Sequence, residues 1–444
     1  MKKLVIIAVC IAVMSGVLYA QELKFDGYIN SGLGIAANDN EDSDPYVKAF
    51  GVDSESNGFR FRLNGAYTNE AKNAGARFRL QAQRRLDQAG YLSVPYLYGW
   101  AGFFENKLSV TGGLVDDGTW ASADWWVNDD TGEGLGLLLK AEPVKGLSLG
   151  AGAYTISQQS GGSNNMLQYN TPSDSDGKTT ASLPNFGNIL LKPEDMKYTI
   201  NAAYTLPDLF RLGAIYRTQN KAGWTGTRND DDYTYGGNEE SQMLQAEFRL
   251  LAVKNLTAVM VGKFDKLEAF EKRGNITLSE TFGYRIDKLN FGLNAVQFLY
   301  NRTDSSDKKV DYNPGLLFNP WVSYSIDKIV PRLDLVYFMG GRSKTGYIPA
   351  PTSSNPNAIN GLENQWERRG FVNVAKATDA KDNYSVFSAR PSVKINIDGK
   401  TFLEIGDMIN YDMASKDGAY KDSKDANKND LFTNVFYIDV KCSF

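Results

Sequence analysis

The sequence has no histidine and only two cysteines. Without histidine, a Ser-His or Cys-His nucleophile pair is excluded, as is a histidine-ligated zinc site. Cys10 lies in an apolar run near the N-terminus, so Cys442 is the single thiol expected outside it. An intramolecular disulfide and a cysteine-rich metal site are thereby excluded as well. Neither charge sign dominates, with Lys+Arg 48 against Asp+Glu 52. That balance argues against a nucleic-acid partner, whose proteins are usually clearly basic. Beyond residue 20, no apolar run approaches the roughly 18 residues of a helical membrane span. The remaining chain is therefore either soluble or a transmembrane barrel, the one strand-based structure that satisfies its backbone in lipid.

What the chain does contain is aromatic and glycine-rich. Aromatics make up 12%, mostly Tyr and Phe, and there are 42 glycines. This mix suits strands and turns better than helices. Residues 1–20, "MKKLVIIAVCIAVMSGVLYA", begin with Lys2 and Lys3, continue as an apolar run and end on the small Ala20. They read as a secretory signal peptide cleaved before Gln21, leaving 21–444 as the mature unit.

Period-2 alternation recurs along that unit. "NGFRFRLNGAYTN" puts Phe59, Phe61, Leu63 and Tyr67 on one face and Arg60, Arg62 and Asn64 on the other. "AGARFRLQAQ" separates Ala76, Phe78, Leu80 and Ala82 from Arg77, Arg79, Gln81 and Gln83 in the same way. A helix would scatter those arginines, whereas a strand collects them. "KYTINAAYTL", "FRLGAIYRTQ", "MLQAEFRLLAV", "LNFGLNAVQFLY" and "SARPSVKINI" repeat the pattern.

Short connections such as "FENK", "PVKG", "PDL", "VKN", "DKLN" and "DGK" alternate with long polar ones, at 37–57, 117–133, 158–196, 220–239, 342–381 and 413–430. Short periplasmic turns and long external loops are the layout of a bacterial outer-membrane barrel. The fold expected is all-β: a transmembrane antiparallel β-barrel of about 18 strands, with both termini at the periplasmic end. Strands at 94–104 and 134–142 alternate least well, so 16 stays open.

The last strand, "LFTNVFYIDVKCSF", has Phe436, Ile438, Val440, Cys442 and Phe444 on one face. Pairing it with the first strand would close the barrel and remove both edges. Its alternation and terminal aromatic resemble the C-terminal signal of outer-membrane β-barrel proteins. In that family such positions are read by the barrel-assembly machinery, which implies that role for Phe436, Ile438, Val440 and Phe444.

With their apolar neighbours facing lipid, Arg60, Arg62, Arg77 and Arg79 would face the lumen, since a charge at the lipid midplane costs about 2–4 kcal/mol. A row of arginines there makes a positive wall along a water-filled path. The third external connection, "DDGTWASADWWVNDDTGEG", carries Asp116, Asp117, Asp124, Asp129 and Asp130 with Trp120, Trp125 and Trp126, and no basic residue. The run "PYLYGWAGFFENKLSVTGGLVDD" is similar to the strand–turn–strand before the constriction loop of general bacterial porins. The resemblance implies that residues 117–133 fold into the lumen and set those aspartates against the four arginines. The chain also resembles sugar-specific channels in size and strand number, where Trp120, Trp125 and Trp126 would be stacking faces.

Three function classes follow. The first is a porin, a passive channel for ions and small hydrophilic solutes in the outer membrane of a double-membraned bacterium. The second is a surface adhesin on a barrel scaffold, using loops 158–196 and 342–381. The third is an enzyme, for which nothing isolates an acid–base carboxylate pair. The porin is the expected one, with no enzymatic activity, cofactor or metal. Acidic residues in "NDNEDSDP" could hold a divalent cation, but read most simply as a solvated loop. Expected partners are outer-membrane lipid, the assembly machinery and the solutes. Glu280 and Asp407 break the alternation by falling on apolar faces. Either the register slips there or a neighbouring protomer covers them, and the porin resemblance favours a homotrimer.

Overall fold

The computed structural model describes residues 22–38, 45–50, 58–85, 91–115, 134–155, 196–219, 222–228, 231–238, 241–301, 312–339, 342–343, 346–347, 385–412 and 432–444. Residues 1–20, expected to be a signal peptide, and residues 117–133, expected to enter the lumen, lie outside them. Among the described residues, one antiparallel sheet of 20 strands winds through the chain in sequence order and closes on itself. Two of these are short. Tyr46–Phe50 continues the line of the second barrel strand beside the first, and Tyr91–Ser93 continues the line of the fourth beside the third. The remaining 18 cross the barrel, as the alternation predicts.

The first six are β1 (Glu22–Asn38), β2 (Gly58–Thr68), β3 (Ala74–Arg85), β4 (Leu97–Phe103), β5 (Leu108–Val115) and β6 (Gly134–Val144). The next six are β7 (Leu147–Thr155), β8 (Met196–Leu206), β9 (Phe210–Gln219), β10 (Ser241–Leu250), β11 (Leu256–Asp265) and β12 (Asn275–Ile286). The last six are β13 (Leu289–Tyr300), β14 (Gly315–Tyr324), β15 (Ile329–Met339), β16 (Ser385–Asn396), β17 (Thr401–Asp412) and β18 (Phe432–Ser443).

The polarity of the wall is inverted relative to a water-soluble sheet. Ile200 is 64% exposed and Met260 55%, while the adjacent Asn201 is 4% exposed and Gln245 0%. The alternation behind this is plain in β8 and β10, where exposed and buried residues take turns along each strand. An apolar exterior over a polar interior is the stable arrangement only when the exterior meets hydrocarbon. No helix among the described residues is long and apolar enough to cross a membrane. The strands do the crossing.

Connections at one end are tight. Asp208, Asn255, Asp287 and Asp327 take positive φ there, the left-handed region that Asn and Asp tolerate best among residues with side chains. Gly146 does so at φ +86 in the turn Lys145–Gly146. The opposite end carries structure that alternation does not announce. Ala222–Arg228 and Asp231–Asn238 form a hairpin inside the long connection between β9 and β10. Short strands from two different connections also meet: Tyr312–Asn313 pairs with Arg342–Ser343, which pairs in turn with Gly346–Tyr347.

Closure is complete. β1 pairs with β2 from Glu22↔Thr68 to Asn30↔Arg60, and with β18 from Tyr28↔Ser443 to Asn38↔Thr433. At the seam, Gly27 and Phe444 exchange backbone hydrogen bonds of 3.1 and 3.0 Å. A Cβ on residue 27 would stand 2.7 Å from the Phe444 ring, so glycine is what lets the terminal aromatic lie across β1. That ring stacks on Phe61 of β2 at 6.4 Å between centroids. Phe436, Ile438 and Val440 point outward along the same strand and are exposed.

Candidate functional site

The inward face of the barrel is the candidate site, and cross-strand register determines which residues share it. Arg62 lies opposite Tyr28 and Gln81, and Arg79 opposite Asn64. The sheet thus brings Arg60 and Arg62 of β2 beside Arg77 and Arg79 of β3. Arg60 is buried, Arg77 exposed and the other two are half-buried. Arg62 Nε donates to Gln81 Oε1, and Arg79 Nε donates to Asn64 Oδ1 at 2.8 Å. Asn64 Nδ2 in turn donates to Asp26.

These arginines belong to a longer arrangement. Arg79 lies 4.8 Å above the Tyr96 ring and Arg62 lies 5.6 Å from the Tyr28 ring. Across the seam, Lys441 Nζ is 4.5 Å from the same Tyr28 ring and 6.0 Å from Phe402. Lys394 Nζ is 3.8 Å from Phe402 on its other flank. Lys394, Phe402, Lys441, Tyr28, Arg62 and Arg79 therefore form a continuous band of cations and ring faces across β16, β17, β18, β1, β2 and β3. Each ring face carries negative quadrupole density, so it steadies the ammonium or guanidinium group without cancelling its charge.

Other inward cations are held differently. Arg390 Nη2 donates to Glu404 Oε1 at 2.9 Å, and Arg390 Nε donates to the Tyr437 hydroxyl at 2.9 Å. The hydroxyl donates onward to Glu404 Oε1 at 2.8 Å. Arg332 grips Asp334 through two bonds of 2.6 and 2.7 Å and lies 4.7 Å from the Trp321 ring. Glu247 accepts from Arg211 at 2.8 Å and is 3.4 Å from Arg249. Lys263 pairs with Asp265 at 3.5 Å and Lys140 with Glu142 at 3.2 Å. Carboxylates pair with the cations along this part of the wall, whereas Arg79 lies against a ring and an amide and Lys394 against a ring.

Of the residues singled out in the sequence, the four arginines are brought together. Asp116, Asp117, Asp124, Asp129 and Asp130, and Trp120, Trp125 and Trp126, lie outside the described residues. Lys394, Lys441, Phe402 and Tyr28 are ordinary on their own strands and do not stand out in the sequence. Alternation signals their inward orientation, but only the register sets them side by side. Glu280 and Asp407 keep their register, opposite Ala295 and Phe436, and point outward. Among the described residues, no group of three or more His, Cys, Asp or Glu is placed to hold a metal ion.

No family model matches the sequence, and no curated protein matches it. Solved structures do match the fold. OprD of Pseudomonas aeruginosa shares 9% identity at a TM-score of 0.50, the match covering 96% of each chain. OccK2 (OpdF) of Pseudomonas aeruginosa, solved in complex with glucuronate, shares 11% identity at a TM-score of 0.51, covering 96% of this chain and 99% of that one. Closed 18-strand topology, inverted wall polarity and these likenesses agree: the chain has the fold of an outer-membrane β-barrel porin.

Proposed function

We propose that the chain forms a water-filled channel through the outer membrane for ions and small hydrophilic solutes, and that it favours anions. The band of cations on ring faces carries this reading. Fixed positive charge beside a narrow aqueous path raises the local concentration of anions. Ring faces and neutral amides hold Arg79 and Lys394 while leaving their charge in place. Small carboxylates are the solute class that suits the band, with the ring faces offering apolar contact beside the charge. The glucuronate held by OccK2 is such a solute. Cleavage of residues 1–20 and insertion of residues 117–133 into the lumen belong to the same proposal.

The test is single-channel current through the mature chain refolded in detergent and inserted in a planar bilayer. Discrete steps with a reversal potential of anion-selective sign, in a salt gradient, are expected. A correctly closed barrel that carries no current would overturn the channel reading, and a cation-selective sign would overturn the role of the band.

A further inference from the structure

Three consecutive tight turns share one motif. The β12–β13 turn reads Ile286-Asp287-Lys288, the β14–β15 turn Ile326-Asp327-Lys328 and the β16–β17 turn Ile397-Asp398-Gly399-Lys400. All of these residues are exposed. The β4–β5 turn carries the same set with Phe104, Glu105 and Lys107, again exposed. The β8–β9 turn, Pro207-Asp208-Leu209, has no lysine.

The motif is fixed to its neighbours in one way throughout. The carbonyl of each lysine accepts a backbone N–H from a neighbouring strand end: Lys288 from Ser325 at 2.9 Å, Lys328 from Asn396 at 2.7 Å and Lys400 from Ser443 at 2.8 Å. Lys107 accepts from Glu142 at 2.7 Å in the same manner. Each lysine is thus rooted beside the gap between its own turn and the next. Lys328 shows the reach of such a side chain, since its Nζ donates to the Ile397 carbonyl across that gap at 3.1 Å. Neighbouring turns are two strands apart, roughly 12 Å along the rim, which leaves room between them for a lipid headgroup.

The carboxylates exceed what the turns require. Asp287 and Asp327 sit at φ 51 and 50, a conformation that asparagine adopts as readily. Each turn therefore presents an apolar side chain, a carboxylate and an ammonium group together, at the height where the barrel leaves the hydrocarbon. An exposed isoleucine there favours acyl chains over water. A purely anionic headgroup would meet the lysines but be repelled by the carboxylates beside them. A headgroup that joins a phosphate to a primary ammonium satisfies both.

We infer that the arc of turns from β12 to β17 is a binding surface for phosphatidylethanolamine of the periplasmic leaflet. Lysine meets the phosphate through a charge-assisted hydrogen bond, and aspartate accepts from the ammonium. The isoleucine anchors the turn in the acyl boundary. The inference concerns the rim and not the lumen, so it stands or falls apart from the channel reading.

The test is native mass spectrometry of the mature chain released from nanodiscs. These hold equal parts of phosphatidylethanolamine, phosphatidylcholine and phosphatidylglycerol with identical acyl chains. Retained lipid should be enriched severalfold in phosphatidylethanolamine, because choline has no N–H to donate and glycerol has no ammonium. Lys288→Gln, Lys328→Gln and Lys400→Gln together should lower retention of all three lipids severalfold. Asp287→Asn with Asp327→Asn keeps the turns and should shift the preference to phosphatidylglycerol. All five substitutions change exposed side chains. Retention in proportion to the bulk mixture, or a preference that neither variant alters, would overturn the inference.

Discussion

Arg390, Glu404 and Tyr437 form a closed triangle of hydrogen bonds on the inner wall, and its energetics can be worked out. The Arg390 and Glu404 side chains keep only 17% and 12% of their exposure. Removing one partner strands the other. Breaking such a pair in a dry interior costs about 3–5 kcal/mol, and access to lumen water lowers the figure here to roughly 2 kcal/mol for Arg390→Met or Glu404→Leu. The double variant strands no charge and keeps most of the packing, so it should lose only about 1.5 kcal/mol. The coupling between the two sites is then about 2–3 kcal/mol. Tyr437→Phe, which removes one donor and one acceptor, should cost about 1–2 kcal/mol. Urea unfolding of barrels refolded into lipid vesicles, followed by tryptophan fluorescence, reads all four numbers. Single losses that simply add in the double variant would refute the reasoning, because they would mean that lumen water replaces each partner fully.

Neutralising Arg77 and Arg79 to Gln should weaken anion preference. A unit charge about 10 Å from the path contributes ~0.4 kcal/mol in water, cut to about a third at 0.1 M salt. Two charges acting oppositely on anions and cations change the permeability ratio about 2–3-fold, and the difference should vanish at 1 M salt; reversal potentials at both salts check it. The Asp398 carboxylate accepts backbone N–H bonds from Lys400 at 2.7 Å and Thr401 at 2.6 Å, which holds its pKa below the ordinary carboxylate value. A depressed folded pKa gives stability that is present above the unfolded value and lost as pH falls through the folded one. Asp398→Asn should therefore speed amide exchange at Lys400 and Thr401 at pH 7, with the gap closing as pH falls through the lowered carboxylate pKa. Gly27→Val drives a branched side chain into the Arg62 carbonyl and the Phe444 ring, so folding yield from urea should fall sharply, while Gly399→Val, with nothing within 4 Å of its Cβ position, should fold normally.

Much of the barrel was legible because lipid enforces a simple rule. A strand with Ile200 out and Asn201 in has only one stable facing, so alternation alone yields the strands, their facing and the loop asymmetry. Arg60, Arg62, Arg77 and Arg79 were readable as an inward group because adjacent strands joined by a short turn carry them. The band was not readable, because Lys441 and Tyr28 are neighbours only through register and the closing seam. Nor was the hairpin at 222–238, whose glycines and aspartates look like ordinary loop residues. Glu280 and Asp407 stood out as violations of the rule, and the register that exposes them leaves the rule intact elsewhere.

The position of the seam has a consequence for when the protein becomes itself. Arg332–Asp334 lies within one strand and Arg390–Glu404 joins strands that are neighbours in sequence, so both can form early, as a sheet grows from hairpins. Lys441 meets Tyr28 only when the last strand docks on the first. The band then becomes continuous only at the last step of assembly: a sheet that is fully hydrogen-bonded but still open would hold Arg79 on Tyr96 and Lys394 on Phe402, yet lack the contact that joins the two halves.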